Sequence, residues 1–251
     1  MVELKTNLNK IKKTNIVFLI EKLSDLSKIS ELNLEKNIKD KIKEVINIWE
    51  NKAINFFLWK NNIENLYILF FNNNKNKTLI EFLWEELFSL PFNLTIVSNN
   101  DKNFKDLIDT TLLSRYKFNK YKTNFKEDNI KILINKDNKK LVNKRLETIK
   151  NIILSRDLWE TPSSDLYPES FAKIIKDTKF KNIKVKIFNS KQVEKKWLHL
   201  LHNVWKWSSK WAYMVILERI IDKKSPTIWL VWKWITFDTW WIQVKPWNHM
   251  Y

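Results

Sequence analysis

The chain has 251 residues, a formal charge of +17, 14 tryptophans, no cysteine and no glycine. That length allows one large domain or two ordinary ones, and the missing cysteine excludes disulfides and cysteine-ligated zinc. No apolar run approaches the ~20 residues of a membrane span, and the N-terminal MVELKTNLNKIKK lacks the apolar core of a signal peptide, so a cytoplasmic protein without a membrane partner is expected.

Apolar periodicity marks the elements in chain order. TNIVFLI (14–20) reads as a buried strand, and Ile38, Ile42, Val45 and Ile46 lie at helical spacing within 34–48. AINFFLW (53–59) and NLYILFF (65–71) are β-prone runs separated by polar residues. TLIEFLWEELFSL (78–90) is an amphipathic helix stopped by Pro91, followed by the strand NLTIVS. A helix is expected over 106–118 and a strand over 129–135. Strands alternating with helices argue for an α/β domain with a largely parallel sheet, placed at 1–136. A basic amphipathic helix over 137–157 opens the second domain, 137–251. Three of the tryptophans precede this boundary and eleven follow it. Beyond the turn TPSSDLYP come a helix ESFAKIIKD, a strand NIKVKIF and a short helix SKQVEKKW. The strands LHLLHNV and AYMVILE follow, separated by the loop WKWSSKW.

The most informative stretch is TIWLVWKWITFDTWWIQVKPW, residues 227–247. Its apolar run IWLV reads as a buried strand. Lys233, Asp238 and Lys245 follow at fixed spacings, and a loop leaving a strand is where catalytic groups collect. Singly, each has an ordinary reading: the lysines as solvated surface charges and Asp238 as a turn residue. Their joint spacing after an apolar run favours a site. His199 and His202 stand three apart, as metal ligands on a helix would, but their apolar neighbours favour packing in a strand or core.

With tryptophan read as glycine, the stretch becomes LVGKGITFDTGGIQVKPG and closely resembles the signature of the cytosolic leucyl aminopeptidase family. RDLWETPSSDLYPESFAK, QVEKKWLHLLHNVWKWS and LLSRYKFNKYKT resemble further family segments in the same order. Two departures are Glu160 and Ser164, where the family usually has asparagine. The resemblance implies an N-terminal α/β domain followed by the first part of an α/β aminopeptidase catalytic domain. It implies two divalent metal ions, Mn or Zn, with Lys233 and Asp238 as metal ligands and Lys245 as the catalytic cation that stabilises the oxyanion. A peptide substrate and a hexameric full-length protein are implied with it. The family's catalytic domain runs past Tyr251 and supplies further ligands, so the chain is expected to be an incomplete and inactive fragment.

The absent glycines point to glycine codons written as tryptophan, since some bacterial codes read UGA as one and some as the other. Lys, Asn and Ile are abundant, as in an AT-rich coding sequence. Non-glycine residues at positions that need positive φ cost roughly 1–3 kcal/mol each, so eleven indoles in the second domain are expected to prevent assembly of the site. The alternative reading is a non-catalytic basic module that contacts nucleic acid. Trp205, Trp207 and Trp211 beside Lys206 and Lys210 would then be its stacking platform.

Overall fold

In a computed structural model, the strand expected at Thr14–Ile20 forms with those bounds and lies inside a six-stranded sheet. The structure describes residues 2–5, 14–20, 36, 40, 42, 44, 52–60, 63–71, 78–98, 101–134, 138–196, 198–206, 208–220, 222, 226–233 and 235–236. The chain divides into two compact units, Met1–Asp157 and Leu158–Tyr251.

The sheet of the first unit holds β1 (Val2–Lys5), β2 (Thr14–Ile20), β3 (Lys52–Lys60), β4 (Ile63–Phe70), β5 (Leu94–Ser98) and β6 (Ile130–Leu133). Their order is β1-β6-β5-β2-β4-β3. Every pairing is parallel except β3 with β4, which form an antiparallel edge. Asn15 to Leu19 are buried without alternation, as expected of a central parallel strand covered on both faces. Val17, Leu19, Leu69, Leu94 and Ile96 join one continuous core with the helices. Ile16, Phe18, Leu66, Ile68 and Val97 are buried too, and within each strand most of them alternate with those core positions.

This unit holds α1 (Leu79–Ser89), α2 (Asp101–Ser114) and all but the last three residues of α3 (Lys139–Glu160). Thr78 starts α1 through a reciprocal capping box: its backbone N–H donates to Glu81 at 2.8 Å, and the Glu81 N–H donates back to its hydroxyl. Leu90 and Pro91 end the helix. The helix expected at 106–118 lies instead at Asp101–Ser114. Its apolar stripe begins earlier, at Phe104, and runs through Leu107, Ile108 and Leu112. Arg115 then leaves the helical path to bond the end of α1. Val142 and Ile149 of α3 are buried in the same core, and Leu146 and Ile153 pack against it. Of the helix expected over 34–48, Lys36, Asp40, Ile42 and Glu44 are described and helical, with Ile42 buried.

The second unit contains α4 (Pro168–Asp177), β7 (Lys184–Phe188), α5 (Ser190–Lys195), α6 (His199–Trp205) and β8 (Met214–Glu218). β7 and β8 pair antiparallel, from Lys184 opposite Glu218 to Phe188 opposite Met214. Asn182 turns the chain into β7 with φ 60°, a left-handed conformation that asparagine tolerates. Asn189 caps α5 with Gln192 completing the box. Leu166, Ala172 and Val193 are its buried apolar residues among those described.

Two expectations are corrected in this unit. LHLLHNV is not a strand: His199–Trp205 is a helix. Leu201, His202 and Trp205 are half-buried while Leu200 and Val204 are 87% and 75% exposed, which is helical rather than alternating periodicity. The run IWLV is not a buried strand either. Ile228, Trp229, Leu230 and Val231 are 75–90% exposed and belong to no helix or strand. A strand requires a neighbouring ladder, and among the described residues β7 and β8 pair only with each other.

Candidate functional site

The sequence places the candidate site on residues 227–247. Lys233 lies in the irregular segment that carries the exposed apolar run, and it is itself exposed. Thr236 is half-buried. Asp238 and Lys245, the other two candidates, lie outside the described residues. Among the described residues, no group of three or more His, Asp or Glu side chains could hold a metal ion. A lone lysine on exposed backbone does not by itself make such a site, so the donor set rests on the spacing of Lys233 and Asp238. An amine nitrogen and a carboxylate oxygen are chemically suited to borderline divalent cations such as Zn, and the oxygen also to Mn.

His199 and His202, although on a helix, do not converge on a ligand set. His202 packs edge-on against Trp205, with ring centroids 5.1 Å apart. Its Nδ1 and the Trp205 Nε1 are both buried without a hydrogen-bond partner. Trp205 in turn packs against Trp211 at 6.1 Å. The proposed stacking platform is therefore partly occupied by its own rings, and Trp207 lies outside the described residues. Lys210 is also engaged, with its Nζ 4.1 Å from the centre of the Tyr167 ring.

Tyr167 precedes α4, where its N–H donates to Ser170 Oγ at 2.9 Å. Glu169, in the first turn of that helix, meets Tyr213 just before β8. Burial and the neighbouring Glu169 carboxylate both raise the Tyr213 phenol above its ordinary value. This polar pairing was not foreseen in the sequence. Its partners are 44 residues apart, and nothing local to Glu169 or Tyr213 marks the pairing.

The tryptophans of the second unit also stand out by exposure. Trp159, Trp229 and Trp232 are 85%, 75% and 79% exposed. Tryptophan is on average a highly buried residue. No helix among the described residues is long and apolar enough to cross a membrane.

Residues 153–251 match the family model described as the cytosol aminopeptidase family, catalytic domain. A probable cytosol aminopeptidase of Corynebacterium diphtheriae is 42% identical over 97 residues, covering 38% of this chain and 19% of the relative. One from Treponema denticola is 28% identical over 182 residues, covering 68% and 38%. Among solved structures, a cytosol aminopeptidase from Coxiella burnetii superposes with a TM-score of 0.59 at 17% identity. That match covers 85% of this chain and 45% of the other, and shows a shared fold. The chain thus spans less than half the length of each of these relatives.

Proposed function

The chain resembles the cytosol aminopeptidase family along residues 153–251, and from that likeness we propose that it carries part of a metal-dependent aminopeptidase that removes N-terminal residues from peptides. The observation that supports this most is the spacing of Lys233, Asp238 and Lys245 inside the matched segment. In this reading Lys233 lends its amine lone pair and Asp238 its carboxylate to two divalent cations, Mn or Zn. Such ions, when bound, polarise a peptide carbonyl and hold a free amino terminus. Asp238 also offsets the concentrated positive charge. Lys245 keeps its proton and donates to the oxygen on which negative charge develops during attack. The full-length protein assembles as a hexamer and acts in the cytoplasm.

The chain alone is inactive in this reading. Among the described residues, no group of three or more His, Asp or Glu side chains could hold a metal ion. The tryptophans at 232, 234, 240, 241 and 247 stand where the resemblance puts glycine, which would let a bare backbone approach the metals and substrate closely. The reading is tested by calorimetric titration of Mn(II) into the chain with glycine restored at these five positions. Weak saturable binding that disappears in Asp238→Asn is the expected result. Equal heats from the two proteins would remove the assignment of Asp238.

A further inference from the structure

The first unit carries a basic and aromatic surface that includes most of the LLSRYKFNKYKT segment and has no part in the metal site proposed above. α2 and β6 are joined by residues 115–129, a connection with no helix or strand of its own. Loops of this length without secondary structure are uncommon in compact domains and are usually functional or disordered. This one is tied down. At its start, the Arg115 guanidinium donates to the carbonyls of Leu87 at 3.0 Å, Leu90 at 2.8 Å and Pro91 at 2.9 Å. The Tyr116 hydroxyl donates to Asp157 at 2.7 Å. At its end, Asp128 accepts from Arg115 and from the Asn93 N–H. Lys122 N–H closes a turn onto the Asn119 carbonyl at 2.9 Å.

What this anchored frame presents is KFNKYKTNFK, residues 117–126, which contains four lysines and no acidic residue. Lys117, Lys120, Lys122 and Lys126 are all exposed. Tyr121 and Phe125 alternate with them and are 51% and 44% exposed. The cations already lie against aromatic rings. Lys117 and Lys126 sit 5.1 and 5.3 Å from the centre of Phe92, and Lys120 sits 5.3 Å from that of Tyr121.

We propose that this loop binds single-stranded nucleic acid, with the four lysines along the phosphates and with Tyr121 and Phe125 as platforms for unstacked bases. Positive charge alone would suit any polyanion. Exposed rings set between lysines add faces on which any base can stack, whatever the sequence. An irregular loop supplies no helix or ribbon to enter a duplex groove, which favours single strands over double. The assignment concerns the first unit and stands independently of the aminopeptidase reading.

Fluorescence anisotropy of a labelled oligothymidylate with the whole chain tests it. Tyr121→Ala/Phe125→Ala is expected to weaken binding by about 10-fold or more. Lys120→Gln/Lys122→Gln is expected to reduce the salt dependence by about 0.7 per lysine. Lys139→Gln/Lys140→Gln, on exposed positions of α3, should leave binding unchanged. All these side chains are exposed, and thermal melting checks that the variants remain folded. An equal loss from the α3 pair would reduce the effect to diffuse charge and overturn the proposal. So would unchanged binding by the Tyr121/Phe125 variant, tighter binding of a duplex of equal length, or preferential binding to phosphatidylserine vesicles.

Discussion

Arg115 and Asp128 form an ion pair with side chains 7% and 15% exposed, at the point where α1, β5 and the loop before β6 meet. Asp128 divides its carboxylate between the Arg115 guanidinium and the backbone N–H of Asn93, a residue held at φ 64°. Arg115 gives three of its four remaining N–H groups to carbonyls around the end of α1. One side chain thus satisfies acceptors that the helix terminus would leave bare.

Removing either partner should therefore be costly. Arg115→Leu leaves Asp128 charged and half-desolvated, and it strips the end of α1. A loss of about 3 kcal/mol is expected, the scale for a buried pair broken on one side. Urea denaturation of the parent and variant measures it. A change below about 0.5 kcal/mol, the range of ordinary surface substitutions, would mean that the pair contributes nothing.

The helical assignment of α6 can be tested at Leu200, which is 87% exposed. Leu200→Lys is expected to alter stability by no more than about 0.5 kcal/mol. Leu201→Lys, on the half-buried face, is expected to be clearly destabilising. Equal and large losses at both positions would indicate a strand buried on two faces.

Tyr213 provides a pH test. Its phenol is raised above 10.0, first by burial and then by the charge and hydrogen bond of Glu169. The folded value therefore lies above the unfolded one. The stability contributed is present in full below the unfolded value and is lost as pH rises through the folded value. Ultraviolet titration of the phenols should show late ionisation from Tyr213 and from Tyr67, which burial also raises, and Glu169→Gln should bring only the Tyr213 component back towards the ordinary range. A titration unaffected by that substitution would exclude Glu169 as a cause.

The tryptophans call for a chemical test. Peptide mass spectrometry of the natural protein is expected to read glycine at positions 159, 229 and 232, where the indoles are 75–85% exposed. Tryptophan at all three would remove the recoding account, and with it the route to a working site on this loop.

Most of the first unit was legible because its elements obey local rules. A continuous buried run at Asn15–Leu19, a capping box at Thr78 and a proline at 91 specify their elements without long-range information. The register of α2 was not legible, because Arg115 leaves the helix for partners 24 to 28 residues away. In the second unit, apolar runs misled. LHLLHNV is apolar enough for a strand, yet its exposure follows a helical period. IWLV finds no ladder among the described residues. Of the candidate site, Lys233, Asp238 and Lys245 were recognisable only by joint spacing. The structure describes Lys233 alone, on exposed backbone.

The most direct test of the aminopeptidase reading is hydrolysis of an aminoacyl chromogenic amide by the natural protein that carries this chain, assayed with Mn(II) or Zn(II). Activity is expected in the parent, with a loss of about 10²–10³ in kcat for Lys245→Ala, the scale of removing one oxyanion donor. Asp238→Asn should abolish activity and metal binding together. Full activity in both variants would contradict the account.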